Sequence, residues 1–221
     1  MTGRPSAPAD EQALVLRLRE GDPEALAELF SLHRERIWRM IRFRMDRRLS
    51  ARIDPDDVLQ ESFLSARARI DNFLAEPHGS FFVWLRLIAL QTLFDQHRHH
   101  IGAEMRNAGR DVQLGDRPDS ANTSLCLAAQ LAGTITSPSE AVAGLEMMQR
   151  LEQAIRTMAA LDQEIIAMRH FEDLTNLESA EALGISPTAA SNRYVRAIAR
   201  LKEILTSFGE SNFGAPGTKS S

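Results

Sequence analysis

The chain of 221 residues is 43% hydrophobic and 25% charged with a formal net charge of −4, a balance that suits a folded protein of one large or two small domains. No stretch approaches the roughly 20 apolar residues of a membrane span, and the opening MTGRPSAPADEQ lacks the apolar run of a signal peptide. The single cysteine, Cys126, excludes an internal disulfide and a cysteine-rich zinc site, so the expected compartment is the cytoplasm, with no membrane contact.

A short helix is expected over residues 11–19, followed by a run of helices whose starts are marked by proline. Asp22-Pro23, Asp54-Pro55, Ser137-Pro138 and Ser186-Pro187 each pair an N-cap side chain with a residue whose fixed φ and missing N–H suit the first helical turn. Behind Pro23, Leu26, Leu29, Phe30, His33, Ile37, Met40 and Ile41 recur at helical spacing. The pattern predicts helices over 23–48, 55–72 and 81–99, then a break, then 138–159, 162–171, 176–183 and 187–208. Nothing alternates with period two. The expected fold is all-α, with two small helical domains at 1–101 and 137–208. Between them, 102–136 is rich in Gly, Ser, Thr and Asn and is expected to be a linker, and 209–221 has the composition of a disordered tail.

Charge is unevenly spread. Between His33 and Arg52, eight arginines (Arg34, Arg36, Arg39, Arg42, Arg44, Arg47, Arg48 and Arg52) face only Glu35 and Asp46, while acids gather at 54–61 and 172–181. The acidic stretch of Asp54, Asp56, Asp57, Gln60 and Glu61 is better explained as a capped helix with a polar face than as a metal site, since no histidine or second carboxylate pair completes it. His97, Arg98, His99 and His100 form a cationic helix end suited to the dipole or to phosphate. The stretch FLAEPHGSFFVW, residues 73–84, breaks a helical hairpin at Pro77, His78 and Gly79. It leaves a loop edged by aromatics that can be either a buried hinge or a surface on which unpaired bases stack.

Residues 176–187, NLESAEALGISP, have the grammar of a helix-turn-helix. Ala180 permits close packing, Gly184 supplies the turn and Ile185 plugs the angle between the helices. The second helix carries Thr188, Ser191, Asn192, Arg193, Arg196, Arg200 and Lys202, with Val195, Ile198, Leu201 and Leu205 expected inward and Tyr194 in the core. Such a helix can enter a major groove, but a plain helical hairpin with a solvated basic face shares these features. No nucleophile–base pair, phosphate loop or HExxH spacing occurs, so neither catalysis, a cofactor nor a small-molecule substrate is expected.

In order and spacing these segments resemble the extracytoplasmic-function (ECF) sigma factors of RNA polymerase. Leu18 to Asp22 with Ala25 and Phe30 is similar to the family's first helix pair, and residues 54–63, DPDDVLQESF, to its polymerase-binding helix. Residues 81–89, FFVWLRLIA, with Asp95 and Arg98 are similar to the segment that melts and reads the minus-ten element, and Leu161 to Leu201 to the domain for the minus-thirty-five element. The resemblance implies core polymerase contacts by Asp57, Gln60 and Glu61, and minus-ten contacts by His78, Ser80, Phe81, Phe82, Trp84 and Arg98. It further implies minus-thirty-five contacts by Thr188, Ser191, Asn192, Arg193, Arg196 and Arg200, with Arg193 nearest the groove and the two later arginines nearest phosphate. Core RNA polymerase and promoter DNA are the implied partners, and the family admits an anti-sigma factor. Two departures limit transfer of base preference. Thr188-Ala189-Ala190-Ser191 replaces a Gly-Thr-Val-Lys-like run, and Asp162 follows Leu161 where the family often has proline. The rivals are a helix-turn-helix transcription regulator without sigma activity and a helical scaffold indifferent to DNA.

Overall fold

The computed structural model describes residues 8–45, 53–75, 79–108, 120–135 and 141–213, and all regular structure among them is helical. Two compact units result. The first takes in the described residues of Met1–Asp116 and of Phe171–Asp173, the second those of Arg117–His170 and Leu174–Ser221.

The first unit contains α1 (Pro8–Arg19), α2 (Pro23–Arg44), α3 (Pro55–Ala68), α4 (Ile70–Ala75) and α5 (Phe81–Ala108). Gly21, at φ +89°, turns the chain between α1 and α2, and the Asp22 side chain accepts the Glu24 N–H at 2.9 Å to cap α2. Arg17 clamps this corner by donating to Asp22 at 2.6 and 2.9 Å and to Glu28 at 2.9 and 3.1 Å. That guanidinium, helped by the Glu24 N–H, holds the Asp22 carboxyl below its ordinary range. The core is the inward stripe of α2 (Leu26, Leu29, Ile37, Met40 and Ile41) against Val58, Leu59 and Ala66 of α3 and Phe81, Phe82, Leu85 and Ala89 of α5. Each large apolar side chain so buried contributes about 1.5–3 kcal/mol. Arg44 and Arg86 are also buried in this unit, where both donate to the buried carboxylate of Glu172, Arg44 Nε at 2.6 Å and Arg86 Nε at 2.5 Å. Charges that deep are tolerated only when paired in this way.

Several boundaries in this unit differ from expectation, α1 starting at Pro8 and not at 11. α2 closes at Arg44, where the Met45 N–H still donates to Ile41 O at 2.8 Å but Met45 itself turns extended. The expected helix over 55–72 divides at Arg69, whose φ of −117° leaves the helical region while its side chain reaches Gln91 on α5 at 2.6 Å. α5 continues to Ala108, through the glycine at 102 that periodicity treats as a break.

The second unit contains α6 (Ser120–Ile135), α7 (Ala141–Ile155), α8 (Ala160–His170), α9 (Asn176–Leu183) and α10 (Pro187–Phe213). α6 lies in the stretch expected to be linker, yet it packs along α7 and α8 and buries Thr123, Ser124, Cys126, Leu127 and Ala128. Its sequence, SANTSLCLAAQLAGTI, carries no charge and many small side chains. Small residues allow close approach to a neighbouring helix, and that same composition resembles a loop when viewed without its partner. Leu151, Ile155, Ile165, Ile166, Ala180, Ala190, Ala197 and Leu201 complete the core of this unit. Among the described residues, no helix is long and apolar enough to cross a membrane.

Candidate functional site

The helix-turn-helix is built by local rules that can be followed bond by bond. Thr175 and Glu178 form a reciprocal capping box at the start of α9, with the Glu178 N–H donating to Thr175 Oγ1 at 3.2 Å and the Thr175 N–H to Glu178 Oε2 at 2.7 Å. Gly184 ends α9 at φ +64°, in the left-handed region, while the Ile185 N–H reaches back to Ala180 O at 3.0 Å and closes the turn. Ser186 then accepts the Ala189 N–H at 3.2 Å, and the Asn176 side chain donates to Pro187 O at 2.8 Å, tying the start of one helix to the start of the other.

This frame sets which face of α10 is free. Ala190, Ala197, Leu201 and Ile204 turn inward, and the exposed face carries Thr188, Asn192, Val195, Arg196 and Ala199, with Ser191 on its border. Val195, expected to be inward, is 63% exposed because the buried stripe is centred on the two alanines, about 150° around the helix from it. An exposed branched apolar side chain among polar neighbours suits contact with a thymine methyl group. Tyr194 is half-buried and hydrogen-bonded through its hydroxyl to His170 Nε2 at 2.8 Å, with Arg169 over its ring at 5.3 Å. Arg193 is half-buried too, donating to Asp162 Oδ1 at 2.6 Å, and Arg200 pairs with Glu203 at 2.9 Å. Of the three arginines expected at DNA, Arg196 and Arg200 are exposed and Arg193 is not.

On the first unit, Asp54 caps α3 by accepting the Asp56 N–H at 2.9 Å. Val58, Leu59, Ser62 and Ala66 face the core, which leaves Asp57, Gln60 and Glu61 together on the outside at i, i+3 and i+4. Leu64 extends the same stripe by one turn and is 49% exposed, an apolar member that charge pattern alone did not single out. Beside the stripe runs a groove of about 410 Å³ between α2 and α3, floored by Leu59 and by the edge-to-face pair Phe30 and Phe63 at 4.9 Å, with Arg34 and Asp56 paired across it at 2.6 Å.

The residues expected at the minus-ten element are divided by the structure. Ser80 sits at the entry to α5, with its Oγ 3.4 Å from the Val83 N–H; Trp84 is half-buried against Phe73 and Phe81 at 5.3 and 5.6 Å; Arg98 is exposed and paired with Asp95. His78 lies outside the described residues. Phe81 and Phe82, expected as stacking platforms, are 1% and 0% exposed, which corrects that placement. Phe81 packs edge-on against Phe73 at 5.3 Å, and Phe82 is roofed by the Arg36 guanidinium 3.5 Å above its ring. Below both lies His33, its ring 5.9 and 5.3 Å from theirs. Large apolar rings at the first turn of a central helix are drawn inward by the area they remove from water.

A capped helix-turn-helix with a polar, cationic outer face, joined in one chain to a helical unit with an acidic-polar stripe, defines a DNA-directed helical protein. Residues 148–201 match the family model described as Sigma-70, region 4, which spans the helix-turn-helix. Over almost their whole lengths, the chain is 24% identical to the ECF RNA polymerase sigma factor SigW of Bacillus subtilis (86% of this chain, 94% of the relative) and 25% identical to the RNA polymerase sigma factor NccH of Alcaligenes xylosoxydans xylosoxydans (90% and 97%). In fold it is similar to CnrH solved in complex with the cytosolic domain of CnrY, with a TM-score of 0.51 at 20% identity, covering 90% of this chain and 98% of that one. Along almost its whole length the chain is thus similar to ECF-type sigma factors, and its residues 148–201 match their region 4.

Proposed function

We propose that this chain is an ECF-type sigma factor that joins core RNA polymerase through the α3 stripe of Asp57, Gln60, Glu61 and Leu64, and reads the upstream promoter element through the free face of α10. The observation that carries the proposal is that face: Thr188, Asn192, Val195 and Arg196 project together from a helix whose start is locked by Ser186 and Asn176. Polar side chains near the start of such a helix meet base edges, and the cation farther along meets phosphate. The acidic stripe explains how a DNA-directed protein carries a net charge of −4, because that surface is turned to protein and not to phosphate.

For the minus-ten element, Ser80, Trp84 and Arg98 form the contact set together with the loop that holds His78. Phe81 and Phe82, buried in the core, hold the start of α5 in place. We place the protein in the cytoplasm and assign it no catalytic step of its own, the chemistry belonging to the polymerase. The likeness to CnrH, solved with the cytosolic domain of CnrY, supports a further protein partner for this chain, an anti-sigma factor.

Transcription in vitro from a random promoter library, with purified core polymerase and the full chain, tests the proposal. Transcripts that require both components and share an upstream and a downstream element are expected. Tight binding to duplex promoter without polymerase, and no transcript with it, would instead identify a regulator lacking sigma activity.

A further inference from the structure

The recognition helix displays more positive charge in its sequence than it offers to solvent. Arg193 is half-buried, with 28% of its side chain exposed, and it donates from a terminal guanidinium nitrogen to Asp162 at 2.6 Å; the Asp162 side chain is 26% exposed. Asp162 belongs to the first turn of α8, where a carboxylate also complements the helix dipole, so its position is set independently of Arg193. A second link, Tyr194 to His170 at 2.8 Å, fastens the next residue of α10 to the far end of the same helix. Arg193 is therefore drawn to the flank of α10 that faces α8, one turn away from the outward Arg196.

We propose that Asp162 withholds Arg193 from DNA and is thereby a determinant of this sigma factor's promoter affinity and selectivity. The inference rests on the assignment of α10 to the upstream element. With its guanidinium committed to a carboxylate, Arg193 positions the helix and adds no phosphate contact. Sequence-independent attraction is thus reduced, and discrimination falls to Thr188, Asn192 and Val195. A partly buried ion pair of good geometry holds a cation far more firmly than an exposed one, because little water competes for it and salt screens it weakly. Asp162 also adds a negative charge beside the DNA-facing helix, which opposes phosphate directly.

The test is the salt dependence of binding by holoenzyme assembled from core polymerase and the full chain, on a promoter duplex selected from a random library by the wild-type holoenzyme. Asp162→Ala should tighten binding and steepen the slope of log K against log salt by about 0.9, one phosphate's worth, so that its advantage over wild type shrinks about 3.5-fold between 50 and 200 mM salt. Asp162→Asn, which keeps the side chain's shape, should do the same to a smaller degree and guards against a packing defect in the alanine variant. Arg193→Ala should leave the slope unchanged, and Asp162→Ala/Arg193→Ala should return it to the wild-type value. A simple structural role for the pair would weaken binding in all of these variants and steepen the slope in none. A slope already lowered by Arg193→Ala, or a steepening that survives in the double variant, overturns the proposal. Arg196→Ala is measured in parallel: if it too leaves the slope unchanged, α10 is not at the DNA and the underlying assignment fails with this one. If Arg196→Ala lowers the slope while Asp162→Ala has no effect, only the present proposal fails.

Discussion

Helices α3 and α10 begin with the same device and end in opposite service. Asp54-Pro55 and Ser186-Pro187 both cap and then pre-set a first turn, and in both helices about half the circumference is buried. On α3 the free half holds Asp57, Gln60, Glu61 and Leu64; on α10 it holds Thr188, Asn192, Val195 and Arg196. Backbone chemistry set the direction of each helix, and the charge of a few outward side chains separates the surface we propose for protein from the one we propose for nucleic acid. Each stripe also contains one exposed apolar residue, Leu64 or Val195, at a place where burial against a partner would be favourable.

The sharpest way to break the comparison is at the aromatic pair at the start of α5, which the sequence suggests as surface and the structure assigns to core. Phe82→Ala should cost about 3–5 kcal/mol in urea denaturation of the full chain, as expected for a fully buried ring. A loss below about 1 kcal/mol, accompanied by failure to open promoter DNA in a permanganate assay, would return Phe82 to the surface.

At the α3 stripe, Glu61→Lys should weaken core polymerase binding by about 2–5 kcal/mol if the charge is desolvated on docking, with the helical circular dichroism spectrum unchanged. An affinity change under about tenfold in a fluorescence titration would remove this stripe from the polymerase interface, and with it the contrast to α10.

Smaller effects sharpen the second half of the comparison. Gly184→Ala introduces a side chain at φ +64° where no atom lies within 4 Å of the new Cβ, so the cost is purely that of the left-handed backbone, about 1–2 kcal/mol. It should appear as a lowered unfolding midpoint of the second unit with polymerase binding through α3 intact, and equal loss of both functions would show that the units are not separable. Arg196→Ala is expected to lower the salt slope of promoter binding by about 0.9 and to weaken all promoter sequences alike. A loss confined to one base position would make Arg196 a base reader.

Elements whose determinants are local were legible without a structure. The starts of α2, α3 and α10, the capped turn at Gly184 and the acidic stripe of α3 each depend on residues within four positions of one another, and hydrogen bonds of that span are dictated by residue type. α6 was not legible: a helix without charges, rich in alanine and in small hydroxyl side chains, shows its buried face only when α7 and α8 lie against it. Hydropathy points Val195 to the wrong face because inward alanines carry little signal, although Ala190 and Ala197 are the residues that let α10 approach its neighbours.

By itself, then, the sequence determined an all-helical chain, the position of its helix-turn-helix and the surfaces that carry its charge, because capping, periodicity and charge are properties of neighbouring residues. Only the tertiary structure decided which groups those surfaces actually present. It turned Phe81 and Phe82 inward, joined Arg193 to Asp162 across 31 positions of sequence, and left Arg196 and Val195 facing out. Burial and ion pairing between distant segments depend on how helices pack, and packing is settled by the whole core at once.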